Sequence, residues 1–343
     1  MLDSHPSQKT SIEQIGSVSL AQQIQNSFPV QNKSTLVAQG DDASILDYKT
    51  KKTVTSGLLW VEGVHFDLSY APLKHLGYKT VVASISNISA MHAVPAQISI
   101  QLALSNRFSL EAIEEFYEGV RLASSFYKID LIYNQLTSSQ KGLIISSSVF
   151  GEVKKDAFVG RNTAKENQLL VLSGDIGAAY MGLQVLEREK QVYLVNPNNQ
   201  PDLDNYNYII ERQLKPEART DIKDILDKLE VKPTAMTLVN DGLAAAIMHL
   251  SMRSSVGCTL YEEKLPIDPQ VYNVCEEFNL NTTTIAINGG EDYELLFTIA
   301  MEDYDKIKGN PNLSVIGHTV AVSEGNHLIT RDATKIPLKA RGF

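Results

Sequence analysis

Acidic side chains set in glycine-bearing turns are the most chemically suggestive feature of this chain. Asp41 and Asp42 directly follow Gly40 in LVAQGDDASILD. Adjacent carboxylates suit a hard cation such as magnesium, which takes oxygen ligands and commonly shares them with phosphates. They equally suit a turn in which an aspartate bonds its own backbone. NGGEDYELLF, residues 288–297, carries Glu291, Asp292 and Glu294 behind two glycines. The acids either face a ligand from an unusual backbone or lie on the wet side of a hairpin, with Leu295 and Phe297 inward. Asp241 in NDGL either meets a cation at a helix start or caps that helix. His65 stands beside an aromatic and two acids in VEGVHFDL, and Arg161 in VGRNTA offers a guanidinium that can grip phosphate. An ordinary structural histidine and a surface arginine are the alternatives. SGDIG (173–177) lacks the spacing and the lysine of a phosphate-cradling P-loop, and close helix–strand packing explains its glycines better. No Ser–His–Asp ordering or nucleophilic cysteine context stands out.

Elements of a globular chain must position these groups. With 343 residues, 43% hydrophobic and 21% charged, the chain suits two domains, placed at 1–155 and 156–343. A net charge of −9 argues against a nucleic-acid or anionic-membrane partner. No apolar run approaches the roughly 20 residues of a bilayer span, and MLDSHPSQKTSIEQ lacks the apolar core of a signal peptide. Cys258 and Cys275 make neither a disulfide framework nor a zinc site, which points to reduced thiols and a cytoplasmic protein. The seven histidines show no metal-type spacing.

QISIQLAL (97–104) alternates Gln97, Ser99 and Gln101 with Ile98, Ile100 and Leu102, the period of a half-buried strand. Ser109 then caps a helix with Ile113, Phe116 and Val120 on one face. IDLIY and GLIISSSVFGEV read as strands separated by the polar stretch NQLTSSQK. In the second half, LLVL meets Gly174 and a helix begins near Gly177, the order of an α/β unit with a buried sheet. NPNNQPDLDNYN (196–207) reads as a polar loop, a helix starts behind Asn240 or Asp241, and TTTIAINGGEDYELLFTIA reads as strand, turn, strand.

The succession GDDASIL, EGVHFDL, GYKTVVASISNISAM, GRNTA, LSGDIGAAYMGL, RQLKPEAR, NDGL and GGEDYELLF resembles the thiamine-monophosphate kinase family. That family belongs to the superfamily named for aminoimidazole ribonucleotide synthetase, and the resemblance runs from about residue 36 to Phe343. It implies a two-domain α/β fold. An N-terminal ATP- and metal-binding domain, whose sheet forms a barrel across a homodimer, is followed by a C-terminal α/β domain, with the active site between the two. The implied reaction moves the γ-phosphoryl group of ATP onto thiamine phosphate, with magnesium ions neutralising charge.

Carried over by position, the resemblance puts Asp41, Asp42, Asp241 and the Ser56 hydroxyl at metal, and His65 and Glu291 at substrate. It puts Arg161, Asn134 and Asn240 at ATP. The chain departs from the family at four acidic metal-site positions, which hold Leu58, Asn87, Gln135 and Leu238. Tyr133 and Asn134 stand where the family has two glycines. A unit charge about 4 Å from another contributes around 4 kcal/mol at an effective dielectric near 20, so losing several carboxylates weakens ion binding by orders of magnitude. Three expectations follow: a kinase working with fewer metals or substitute ligands, a catalytically silent homologue that keeps the dimeric fold with or without ligand binding, or a different ATP-dependent activity of the same superfamily with a changed metal requirement.

Overall fold

The computed structural model describes residues 23–24, 26–37, 45–198, 200–201 and 203–340. Two compact units divide the chain: the residues up to Ile88 with Val94–Lys155, and Ser89–Ala93 with Asp156 onward. Asp41 and Asp42 lie outside the described residues.

The first unit holds a short pair, β1 (Thr35–Val37) and β2 (Ile45–Leu46), and a four-stranded sheet. The sheet strands are β3 (Lys52–Val61), β4 (Val94–Leu104), β5 (Asp130–Ser138) and β6 (Leu143–Val153), in the order β3-β6-β4-β5. β4 and β5 run parallel and the other pairs antiparallel. Helices α1 (Leu73–Ser89) and α2 (Leu110–Tyr127) cover one side. The Ser84 hydroxyl on α1 meets that of Ser147 on β6 at 2.7 Å, and Ile98, Ile100 and Leu102 are buried beneath the helices.

Ser109 caps α2 by accepting from the Ala112 amide at 3.4 Å, and Ile113, Phe116 and Val120 face inward. The polar side of β4 is less wet than its alternation implies. Gln97 is buried because the Tyr48, Ser34 and Thr35 hydroxyls close over its amide. NQLTSSQK is not a connecting loop throughout. β5 continues through Ser138, because every position from Ser99 to Leu104 has a partner on it.

The second unit is built on a seven-stranded sheet. Its strands are β7 (Leu169–Ser173), β8 (Ala235–Val239), β9 (Gly257–Tyr261), β10 (Glu294–Ile299), β11 (Leu313–Val320), β12 (Asn326–Ile329) and β13 (Lys335–Pro337), ordered β13-β12-β9-β11-β7-β10-β8. Only β12 and β9 pair in parallel. β7 lies between β11 and β10 and is buried at every position, which accounts for its continuous apolar run.

Helices α3 (Ala178–Val195), α4 (Asn207–Leu214), α5 (Asp221–Lys228), α6 (Leu243–Ser254), α7 (Pro269–Glu277) and α8 (Thr282–Asn288) belong to this unit. One core cluster joins α6 to the sheet through Leu243, Ile247, Leu250, Leu172 and Leu296. A second joins α3, α4 and α7 through Met181, Val185, Ile209, Val271 and Val274. TTTIAIN is helix α8 rather than a strand. The Asn281 side chain accepts from the Thr284 amide at 2.8 Å, and Ile285, Ala286 and Ile287 go into the core. That cap outweighs the strand preference of three threonines.

Candidate functional site

The glycine–acid loop between α8 and β10 is a built feature, not a solvated hairpin. Gly290 has no room for a side chain, since a Cβ there would lie 2.5 Å from the Asn240 carbonyl oxygen. Glu291 and Tyr293 both adopt left-handed backbone, with φ of 66° and 55°, a conformation that persists only where the surroundings enforce it. Here the Glu291 amide donates to the Asn240 carbonyl at 2.7 Å, and Tyr293 is packed in the core.

The three acids of this loop have different roles. Glu291 Oε2 accepts from Gln213 Nε2 on α4 at 3.0 Å. Asp292 is buried and accepts from the Gly177 and Ala179 amides at 2.8 and 3.1 Å, so it caps α3 from outside the helix's own sequence. Burial raises the Asp292 carboxyl to about 7, while Arg212 and the two amides pull it the other way. Glu294, also buried, lies between Arg212 and Arg219 at 3.0 Å from each and accepts from Ser173 Oγ at 2.5 Å. Arg212 also donates to the carbonyls of Asp175 and Asp292 at 3.2 and 3.3 Å. The alternation read from the sequence places Leu295 and Phe297 inward, and both are buried. Asp292 and Glu294 are buried as well, which only their tertiary partners permit.

Asn240 and Asp241 lie beside this loop, just ahead of α6. Asn240 Nδ2 donates to Asp241 Oδ1 at 2.9 Å. Gly242, not Asp241, is the capping residue of α6, and Asp241 is exposed. The structure thus brings together Glu291, Asn240 and Asp241 of the carried-over positions, with Gln213 as a fourth member. Sequence reasoning did not single out Gln213, and its only signal was its place in RQLKPEAR.

Arg161 lies in the loop leading to β7, partly buried. Ser254 Oγ donates to its carbonyl at 2.6 Å and accepts from the Ala164 amide at 3.1 Å, which ties the loop to the end of α6. Burial lowers the Arg161 guanidinium from its ordinary value, Arg253 adds to that, and Asp241 opposes it.

In the first unit, His65 is exposed in the turn after β3, and its Nδ1 accepts from the Val61 amide at 3.1 Å. Ser56 and Leu58 point to the helix-covered side of β3, Leu58 opposite Ser147. Asn87 on α1 flanks that same side, its Nδ2 donating to the Ala83 carbonyl at 3.5 Å. Asn134 belongs to this side too, but at the far edge strand, where it adjoins Tyr117 of α2. Gln135 pairs with Gln101 and is exposed on the opposite side of the sheet. The pairing therefore separates Leu58 from Gln135 by both face and edge. Leu238 is buried in β8 opposite Leu295.

A magnesium centre needs several converging oxygen donors. Among the described residues, no three His, Cys, Asp or Glu side chains gather to hold a metal ion. Asp241 Oδ1 is engaged by an amide, and Leu238 has no ligating atom. The described donors alone do not fit a multi-magnesium site. Both cysteines are free and buried, as expected of reduced thiols, and burial pushes the Cys258 thiol up to about 12. No helix among the described residues is long and apolar enough to cross a membrane.

Comparison with known proteins adds four findings. Residues 40–153 match the family model described as AIR synthase related protein, N-terminal domain. The thiamine-monophosphate kinase of Aquifex aeolicus (strain VF5) is 33% identical over 285 residues, covering 82% of this chain and 86% of that protein. That of Bacillus subtilis (strain 168) is 28% identical over 322 residues, covering 92% and 94%. Among solved structures, AaThiL complexed with AMPPCP and TMP superposes with a TM-score of 0.71 at 29% identity, covering 96% of this chain and 97% of that one.

Proposed function

Because this chain belongs to the thiamine-monophosphate kinase family, we propose that it is a thiamine-monophosphate kinase-like protein that engages ATP and thiamine phosphate and works towards thiamine diphosphate. The observation that carries this reading is the enforced loop Gly290–Tyr293, which holds Glu291 against Gln213 and beside Asn240 and Asp241. A relative solved with AMPPCP and TMP shares this fold over nearly its whole length.

In this reading His65 and Glu291 contact thiamine phosphate, and Arg161, Asn134 and Asn240 contact ATP. Asp41, Asp42, Ser56 and Asp241 face cations, which supply charge neutralisation when bound. Residues 1–155 form the ATP-binding and dimerisation domain and 156–343 the second domain, in a cytoplasmic protein. The homodimer forms through the side of the four-stranded sheet away from α1 and α2, where Leu59 and Tyr133 are 61% and 37% exposed. Sedimentation equilibrium tests it: a chain that is monomeric at all concentrations has no such interface.

A second reading, a homologue that binds these ligands without turnover, is favoured by one specific observation. Leu58, Asn87, Gln135 and Leu238 bring no charge to the positions where the family resemblance implies acids. An assay for ATP- and magnesium-dependent formation of thiamine diphosphate separates the two. Robust turnover rejects the silent reading. Saturable binding of thiamine phosphate without turnover rejects the kinase.

A further inference from the structure

We propose that a cavity in the second unit binds a small organic monocation, whose N–H group bonds His92 and whose apolar body lies against Val159, Leu226 and Val231. The cavity measures about 300 Å³, at the lower end of the range for small-ligand pockets. All of its lining belongs to the second unit: the turn after α1, the segment that follows β6, and the end of α5 with the turn behind it. Backbone bonds fix these pieces. The Val159 amide donates to the Met91 carbonyl at 3.1 Å, and the His92 amide to the Ser89 carbonyl at 2.9 Å. At the end of α5 the Val231 amide returns to the Leu226 carbonyl at 3.0 Å. Val159, Leu226 and Val231 are buried and supply the apolar wall.

His92 is the buried polar group of that wall. It is only 8% exposed, and its backbone is left-handed with φ of 56°, uncommon outside glycine. Its Nε2 faces Asp227 Oδ1 at 3.8 Å, and that carboxylate assigns the ring proton to Nε2. Nδ1 is then an acceptor, and among the described residues nothing donates to it. Burial and the Lys223 charge lower the imidazole from its ordinary value against the pull of Asp227, which keeps the ring neutral at neutral pH. A buried acceptor without a donor costs free energy, and a ligand that brings an N–H removes that cost.

The exposed rim decides the charge of the ligand. Asp156, Asp227 and Glu230 line the cavity together with Lys232, and Lys223 pairs with Asp227 at 2.5 Å. Three carboxylates thus stand against two ammoniums. Among the described residues, neither the Asp156 nor the Glu230 side chain has an ion pair or a hydrogen bond. A monocation balances the excess negative charge, and an anion adds to it. This goes beyond the kinase reading, which assigns none of these residues to ATP, thiamine phosphate or a cation.

The probe is benzamidine, a flat apolar ring that carries an amidinium. Calorimetric titration of the full chain at neutral pH and low ionic strength should show saturable binding. Benzoate and benzyl alcohol keep the ring but lose the positive charge, and should bind about tenfold more weakly or worse. Glu230→Gln and Asp156→Asn should each weaken benzamidine about threefold, the effect of one partly exposed charge. His92→Asn tolerates left-handed backbone but withdraws the ring, and should cost about tenfold. The imidazole nitrogen resonances of His92 should move on binding. Asp156 and Glu230 are exposed, so their replacement leaves the fold intact, which circular dichroism checks. No saturable binding, equally tight binding of benzoate, or affinity unchanged in both Glu230→Gln and Asp156→Asn overturns the proposal. Benzamidine affinity should persist in saturating thiamine phosphate. Displacement by thiamine phosphate would put the probe in the substrate's own site, sinking this cavity and leaving the kinase reading in place. Benzamidine binding that needs Glu230 and His92, with no response to ATP or thiamine phosphate, supports the cavity and removes the kinase reading.

Discussion

Arg212 and Glu294 meet at 3.0 Å with side chains only 12% and 2% exposed, beneath the loop that presents Glu291. Arg219 closes on the second oxygen of the same carboxylate at 3.0 Å. Two guanidiniums thus converge on one buried carboxylate, while the neighbouring acid, Glu291, accepts from the neutral amide of Gln213. The buried acid supports the loop on which Glu291 stands.

Breaking that support should be costly. Glu294→Gln leaves Arg212 and Arg219 buried without their common counter-charge, a loss of about 3–5 kcal/mol. Arg188→Ala removes a pair with Glu277 whose side chains are 33% and 44% exposed, and its ion-pair loss should be no more than about 1 kcal/mol. Urea unfolding of both variants checks the ranking. Equal destabilisation would mean that Glu294 is not the keystone.

Asp292 makes stability fall as pH rises. Its folded pKa is about 7, above the ordinary aspartate value of 3.8, so between these pH values the folded state binds more protons than the unfolded state. The slope is therefore negative in that window, up to ~1.4 kcal/mol per pH unit for this group, and levels off above about pH 7. Asp292→Asn should flatten the window. Unfolding free energies measured at half-unit steps from pH 4 to 8 read this directly, and an unchanged slope in the variant would falsify the assignment.

Helices α1 and α2 cross at two glycines. A Cβ on Gly119 would lie 1.8 Å from the Lys74 carbonyl oxygen, and one on Gly77 would lie 2.0 Å from that of Phe116. Backbone cannot yield as a flexible side chain does, so Gly119→Ala forces the helices apart and should cost about 3 kcal/mol or more. A mild effect in thermal unfolding, under about 1 kcal/mol, would show that the crossing is looser than this contact implies.

Restoring acids should restore a cation response. The quadruple variant Leu58→Asp, Asn87→Asp, Gln135→Asp and Leu238→Asp is expected to gain magnesium affinity. Leu238 is buried, and an uncompensated carboxylate there destabilises the apo form. Its unfolding free energy should therefore rise with added magnesium, by about 2.7 kcal/mol at a hundredfold excess over Kd, while the parent chain responds little. A flat magnesium titration of the variant would show that none of the four positions takes part in a cation site.

Local patterns in the sequence suffice for much of the architecture. The alternation of QISIQLAL, the Ser109 cap and the continuous run LLVL each depend on neighbours a few residues away, and each lies in the expected element. Where a tertiary partner competes with a local preference, the sequence misleads. Three threonines favour a strand, yet Asn281 and a waiting apolar core make Thr282–Asn288 a helix. Gln97 belongs to a polar stripe, yet Tyr48 and the hydroxyls of Ser34 and Thr35 enclose it.

The ordered motifs from GDDASIL to GGEDYELLF were enough to determine the family, because an identical succession of short segments reflects descent rather than local energetics. Only tertiary structure decided what the acids of GGEDYELLF do. Asp292 became a helix cap, Glu294 the centre of a buried ion network, and Glu291 an acceptor for the Gln213 amide. Those roles depend on Gly177, Arg212, Arg219 and Gln213, between 75 and 115 positions away in the chain. Charge and hydrogen bonding act over a few ångströms of space, and separation along the chain does not encode that distance.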